Sequence, residues 1–363
     1  MVGRQPESEV SSQESGAARC SGVPLTGRHR VASLFCFLTS VSLFVLLAHC
    51  FAFASSWTRQ PSGTMAWLHA VYFLDRDRGW IAGANGTLLS TVDGGATWTK
   101  TSFIVKDSFA DVYFSDSAHG WLLAQRDLFK LKANERSSYL LNTDDGGITW
   151  RQVFLNTEEL NARFTRMLFR DQQHGWVFGE TGAIFATSDG GEHWMPQRSP
   201  SKHLLLGGAF ANNANHDRGL IVGAGATIMQ SDDGAVWRLS APRQGESARL
   251  NAVTLVGNSA WAVGNGGQIF ATADGGHSWF RQHSNVAADL LDVRFIDARE
   301  GWAVAGDGTL LHTSDGGLHW GAEAIGNSRG LERLFIIDRN HIWAVGFGGT
   351  ILRFGETNAP RLK

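Results

Sequence analysis

One hydrophobic pattern recurs along most of the chain, and it is clearest near the end. Leu290-Leu-Asp-Val-Arg-Phe295 alternates apolar and polar positions with the period of two expected of a strand. After Asp297 a turn leads into Gly301-Trp-Ala-Val-Ala305, and a glycine turn then leads into Thr309-Leu-Leu. These read as two more short strands, with β-formers bounded by glycines. The first strand recurs at Leu68 to Asp75, Phe109 to Asp116, Phe164 to Asp171 and Leu331 to Asp338, and loosely at Leu204 to Phe210. The second begins at Trp80, Trp121, Trp176, Leu220, Trp261, Trp302 and Trp343, and the last four of these stand 41 residues apart. Seven copies of a unit of this length point to a solenoid or a ring of small sheets.

Each unit but the last ends in Ser/Thr-x-Asp-x-Gly-x-x-Trp, which closes a hairpin. The aspartates are Asp93, Asp145, Asp189, Asp232, Asp274 and Asp315, and the tryptophans are Trp98, Trp150, Trp194, Trp237, Trp279 and Trp320. The carboxylate can accept backbone N–H groups across the turn, the glycines take left-handed conformations, and the tryptophan folds back as an apolar plug. The motif resembles the Asp box of bacterial neuraminidase-type repeats. Its fourth copy is degenerate, with Gln230 where Ser or Thr belongs and Asp233 where the others usually have Gly.

The seventh copy stops after Thr350-Ile-Leu352 with no box and no closing strand. Trp57-Thr-Arg-Gln-Pro-Ser-Gly63 resembles Trp279-Phe-Arg-Gln-His-Ser-Asn285, and Trp57 precedes Trp80 by the same 23 residues that separate Trp279 from Trp302. The expected fold is therefore all-β, a seven-bladed β-propeller with Asp-box hairpins. An N-terminal strand carrying Trp57 closes it and removes the bare sheet edges that invite aggregation. Trp67 alone among the 14 tryptophans has no place in the repeat and is assigned to the core.

Composition adds the domain organisation. The formal charge of −2 argues against a nucleic-acid binder, and Cys20, Cys36 and Cys50 all precede the repeats, so disulfides cannot hold the ring. Residues 1–30 are a polar leader expected to be disordered and cytoplasmic, and residues 31–54 carry no formal charge and are long enough to cross a bilayer. Ala52-Phe-Ala54 also has the form of a signal-peptidase site, so a retained transmembrane helix and a cleaved signal both stand. Residues 55–363 are the propeller, expected to lie outside the cytoplasm as a monomer.

Two features point to the face opposite the boxes. Blade two has about 11 extra residues between its second and third strands, within Ala124 to Ser138. The boxes and the turns at Asp75, Asp116, Asp171, Asp297 and Asp338 make one face acidic, while cations, Arg249 among them, gather on the other. The partner-binding candidates there are Arg126, Lys130, Lys132, Arg136, Arg198, Arg243, Arg281 and Arg329.

A neuraminidase would need a tyrosine nucleophile paired with a glutamate, an acid/base aspartate and an arginine cluster. Only Tyr72, Tyr113 and Tyr139 exist, and peripheral box aspartates do not imply hydrolysis. Over residues 55–363 the pattern Leu-x-x-Val-x-Phe-x-Asp-x-x-x-Gly-Trp-Ala-Val-Gly, with Gly-Thr-Ile-Leu-x-Thr-x-Asp-Gly-Gly-x-x-Trp, resembles the photosystem II stability/assembly factor family. The resemblance implies a non-enzymatic, exported or lumenal propeller with an arginine-rich face that binds unassembled membrane-protein subunits. No catalytic residue, cofactor or metal is expected. The alternative is a sialidase-like hydrolase or a carbohydrate-binding propeller.

Overall fold

The structure, a computed structural model, describes residues 56–103, 105–132, 134–155, 162–211, 218–240 and 248–355. These residues form seven antiparallel sheets of four strands each. Blade six is typical, with strands Leu290–Phe295, Gly301–Ala305, Leu310–Thr313 and Gly321–Ala322 running outward from the ring centre. First strands of neighbouring blades touch one another around the whole ring, including the last blade against the first. The second strands Gly79–Gly83, Gly175–Gly179, Gly219–Gly223 and Gly301–Ala305 are buried at every position, because each blade is covered on both faces by its neighbours. Glycine opens these strands for a steric reason: a Cβ at Gly301 would lie 2.5 Å from the Phe295 ring.

Aromatic rings join the blades. The box tryptophan meets the inner-strand phenylalanine of its own blade edge-on, as Trp320 meets Phe295 with centroids 5.7 Å apart. The second-strand tryptophan of the preceding blade lies flat on the same ring, as Trp261 does at 3.5 Å. Trp261 also donates its indole N–H to the carbonyl of Gly316, in the box of the next blade. The boxes therefore brace blades against one another as well as closing hairpins.

The ring closes where the sequence indicates. Ser56–Gln60 pairs antiparallel with Thr350–Gly355, and Trp57 stands opposite Phe354. The seam has its own core, in which Leu68, Val71 and Ile81 of blade one pack with Trp343, Val345 and Ile351 of blade seven.

In five boxes the hydrogen bonds repeat. Thr313 Oγ1 donates to Asp315 Oδ1 at 2.9 Å and accepts the Gly317 N–H at 2.9 Å, while Asp315 Oδ1 accepts the His319 N–H at 2.9 Å. Thr91 with Asp93, Thr143 with Asp145, Thr187 with Asp189 and Thr272 with Asp274 do the same. Box four corrects the sequence assignment, because its aspartate is Asp233 and not Asp232. Ser231 Oγ donates to Asp233 Oδ1 at 2.9 Å, and Asp233 Oδ1 accepts the N–H groups of Ala235 and Val236. The turn is one residue shorter than the others. It keeps a single left-handed glycine, Gly234, where box six has both Gly316 and Gly317. Asp232 is left exposed beside Arg238 at 3.4 Å. Replacing Asp233 by Ala should cost about 1–3 kcal/mol because the turn N–H groups lose their acceptor, whereas Asp232→Ala should stay within about 0.5 kcal/mol. Urea unfolding midpoints of the two variants check this, and equal losses would restore the original register.

The boxes also make stability depend on pH. The Thr149 hydroxyl holds Asp145 down to about 2, and the backbone N–H groups of His193 and His319 do the same for Asp189 and Asp315. Carboxylates depressed below their unfolded value of about 3.8 give their full stabilisation above about pH 4, and lose it as pH falls through their folded values. Asp111 and Asp292 oppose this, since burial raises both and acidification relieves the cost of keeping them charged. With more depressed carboxylates than raised ones, the urea midpoint should fall steeply between about pH 4 and about pH 2, and Asp315→Asn should flatten the slope. A midpoint constant over that window would show that the box carboxylates contribute nothing.

Residues 1–55, with the leader, the 31–54 segment and all three cysteines, lie outside the described residues. Among the described residues no helix is long and apolar enough to cross a membrane.

Candidate functional site

The face carrying the boxes is less acidic than its aspartates suggest. Asp75, Asp116, Asp171 and Asp297 each accept two backbone N–H groups within their own turns. The charge of this face is offset by neighbours the sequence count left out: Arg78 on Asp75 at 2.6 Å, Arg76 on Asp338 at 2.8 Å, and Arg339 between Asp297 at 2.7 Å and Glu300 at 2.6 Å. Asp189, Glu192 and His193 bring three possible metal ligands together, but both Asp189 oxygens already accept bonds from the box.

On the opposite face the candidate cations separate into groups. Arg126 is committed to the fold: its guanidinium lies 4.7 Å from the Tyr139 ring centre, donates to the Arg136 carbonyl at 2.8 Å and stands 3.9 Å from Asp107. Arg329 likewise donates to the Gly348 carbonyl at 2.7 Å. Lys130 and Lys132 are exposed on the connection between strands Gly120–Gln125 and Ser138–Thr143, where Lys130 pairs with Asp127 at 3.1 Å. Arg136 is half-buried beside them, and Arg198 is exposed just after the outermost strand of blade three. Arg281 sits within Phe280–His283, the outermost strand of blade five, on the flank of the ring. Arg243 lies outside the described residues.

The strongest arrangement lies at the ring centre. A mouth of about 370 Å³ opens on this face, lined by Trp67, His69, Gln125, Arg166, Arg249 and Arg333 among others. It leads into a channel of about 420 Å³ that also meets Arg166 and Arg333 and contains Asp111, Asp292 and Arg294. The channel residues occupy the polar positions of the alternating inner strands. In a closed ring those positions face the lumen instead of bulk water.

The two channel carboxylates are spoken for. Asp111 accepts the Met167 N–H at 3.1 Å and Asp292 accepts the Leu334 N–H at 3.0 Å, each reaching the inner strand of the next blade. Burial raises both, and the nearby Arg166 and Arg294 oppose the rise. Arg333 donates to the carbonyls of Leu291 at 3.2 Å and Glu332 at 2.7 Å. Arg166 donates to the Thr165 carbonyl, and the exposed Arg249 reaches Asn251 at 3.3 Å. These neutral partners leave the positive charge of Arg249, and part of that of Arg166 and Arg333, available to an anion entering the mouth. The sequence placed Arg249 among the cations of this face without naming it as partner-binding, and singled out neither Arg166 nor Arg333, because residues far apart along the chain converge only once the ring closes.

Burial holds all three tyrosines protonated. Burial pushes Tyr72 up to about 12 and Tyr113 higher still. Tyr139 is also raised by burial and by its bond to Asp107.

The model of the photosynthesis system II assembly factor YCF48 matches residues 101–199 and 196–286, together about half of the chain. The chain belongs to the YCF48 family. Among curated YCF48 relatives, the photosystem II assembly lipoprotein Ycf48 of Synechococcus sp. strain CC9902 is 26% identical over 217 residues, covering 58% of this chain and 60% of that protein. The chloroplastic photosystem II stability/assembly factor HCF136 of Arabidopsis thaliana is 27% identical over 173 residues, covering 41% of this chain and 42% of that protein. The chain thus spans about half the length of these relatives. The solved structure of YCF48 bound to D1 peptide superposes with a TM-score of 0.67 at 22% identity, over 84% of this chain and 97% of that one. The YCF48 fold is shared, with seven blades and an N-terminal closing strand in this chain.

Proposed function

We propose that this protein is a non-catalytic assembly factor that holds an acidic, extended segment of an unassembled membrane-protein subunit at the arginine-lined mouth. The observation that carries this reading is the convergence of Arg166, Arg249 and Arg333 on one opening, their charge only partly offset by buried carboxylates. Fixed cations in a concave site steer and retain an anionic chain. The family supports the class of partner: one relative is named a lipoprotein of photosystem II assembly, and a structural neighbour binds a D1 peptide. The propeller works outside the cytoplasm in this reading, sent or anchored there by residues 31–54. The raised tyrosines and the engaged box carboxylates favour binding over glycoside hydrolysis. The test is retention of a detergent-solubilised membrane-protein subunit by the full chain at low salt. Retention should be lost on reversing charge at the mouth, and retention that survives that change would overturn the reading.

A further inference from the structure

Thirteen tryptophans belong to the repeat, and the structure puts the fourteenth to a different use. Trp67 is 45% exposed, not in the core as its apolar character suggested, and it lines the mouth together with His69. Phe347, 55% exposed, meets it edge-on with centroids 5.7 Å apart and planes at 80°. His69 lies 5.3 Å from the Trp67 ring and is held by Glu332 of blade seven at 3.2 Å. Backbone bonds fix both aromatic residues: Ala84 N–H donates to the Trp67 carbonyl, Phe347 N–H to the Gly330 carbonyl, and Gly349 N–H to the Ala66 carbonyl, each at 2.8 Å.

We infer that Trp67 and Phe347 are an aromatic clamp for one apolar side chain of the polypeptide whose carboxylates the mouth arginines bind. This rests on the mouth being a polypeptide site. The clamp comes from blades one and seven, whereas Arg166 and Arg249 come from blades three and five across the ring. The ligand is therefore an acidic segment with an aromatic or large aliphatic residue set apart from its carboxylates. Rigid aromatics beside cations are the usual anchors of a binding surface, because they bury a large area with little entropy to lose. A sugar ring would want an open, flat platform, whereas Phe347 and His69 both crowd the Trp67 ring, with centroids 5.7 and 5.3 Å away.

The test compares two labelled acidic peptides differing only in one Phe or Ala, titrated by fluorescence anisotropy against the full chain and its Trp67→Ala and Phe347→Ala variants. The wild-type chain should prefer the Phe peptide about tenfold or more, and both variants should lose that preference by weakening the Phe peptide far more than the Ala peptide. Melting curves check that the variants fold. Equal binding of the two peptides by the wild type, or equal weakening of both in the variants, would overturn the clamp while leaving the cationic mouth standing. If neither peptide binds, the polypeptide reading fails and the clamp with it. Binding of a neutral oligosaccharide that is lost in Trp67→Ala would replace it with a glycan site.

Discussion

Replacing Trp343 by Ala should destabilise the propeller by about 3–5 kcal/mol, the cost of deleting a large, fully buried aromatic. Trp343 has no exposed surface, lies flat on Phe73 at 3.6 Å and donates its indole N–H to the Gly94 carbonyl at 3.2 Å. Both partners are in blade one, so the variant weakens the joint between the two ends of the ring. Other blades are joined through continuous chain, but blades seven and one meet through packing, a few polar contacts such as Arg76 with Asp338, and the strand Ser56–Gln60. A chain beginning at Pro61 should fare worse. Strand Thr350–Gly355 would become a bare edge, and aggregation should accompany the loss of cooperative melting. For a domain of this size the Trp343→Ala change corresponds to a fall in melting temperature on the order of 10 °C. Trp67→Ala, at the surface, should leave melting within about 2 °C. Equal melting of Trp343→Ala and wild type would mean that the seam is not a structural joint.

Charge reversal at the mouth should have the opposite signature. Arg249→Glu changes an exposed side chain whose described bond is a 3.3 Å contact to Asn251, so melting should hold. Affinity for an acidic peptide should drop by about a hundredfold, since one attraction is lost and one repulsion gained. Arg166→Gln, inside the channel, should weaken binding by about tenfold and cost some stability, because Arg166 eases the burial of the Asp111 charge. Arg281→Glu on the flank is the control and should change neither property. Anisotropy titrations at two salt concentrations separate these outcomes, and the wild-type affinity should fall with salt more steeply than that of Arg249→Glu. Equal loss from Arg249→Glu and Arg281→Glu would mean a diffuse charge effect and no site.

Local chemistry made much of the molecule readable in advance. Alternation in Leu290 to Phe295, turn glycines and the Thr-x-Asp spacing are properties of neighbouring residues, so blades and boxes could be counted from the letters. The partner of Trp57 was readable for the same reason, because a missing strand leaves a gap in a strict period. Box four was misassigned because one deleted residue shifts the hydroxyl from position 230 to Ser231 and the acceptor to Asp233, and only the bonds reveal the register. The fate of a charge was not readable either. Arg126 and Lys130 are neighbours in sequence, yet one packs on Tyr139 and the other stands in solvent. The mouth itself is a product of ring closure. Arg166, Arg249, Arg333 and Trp67 hold unremarkable polar or linking positions in four different repeats, and curvature of the whole sheet array brings them around one opening. Periodic residue chemistry specifies the blades, while the convergence of distant side chains depends on the closed geometry that those blades build together.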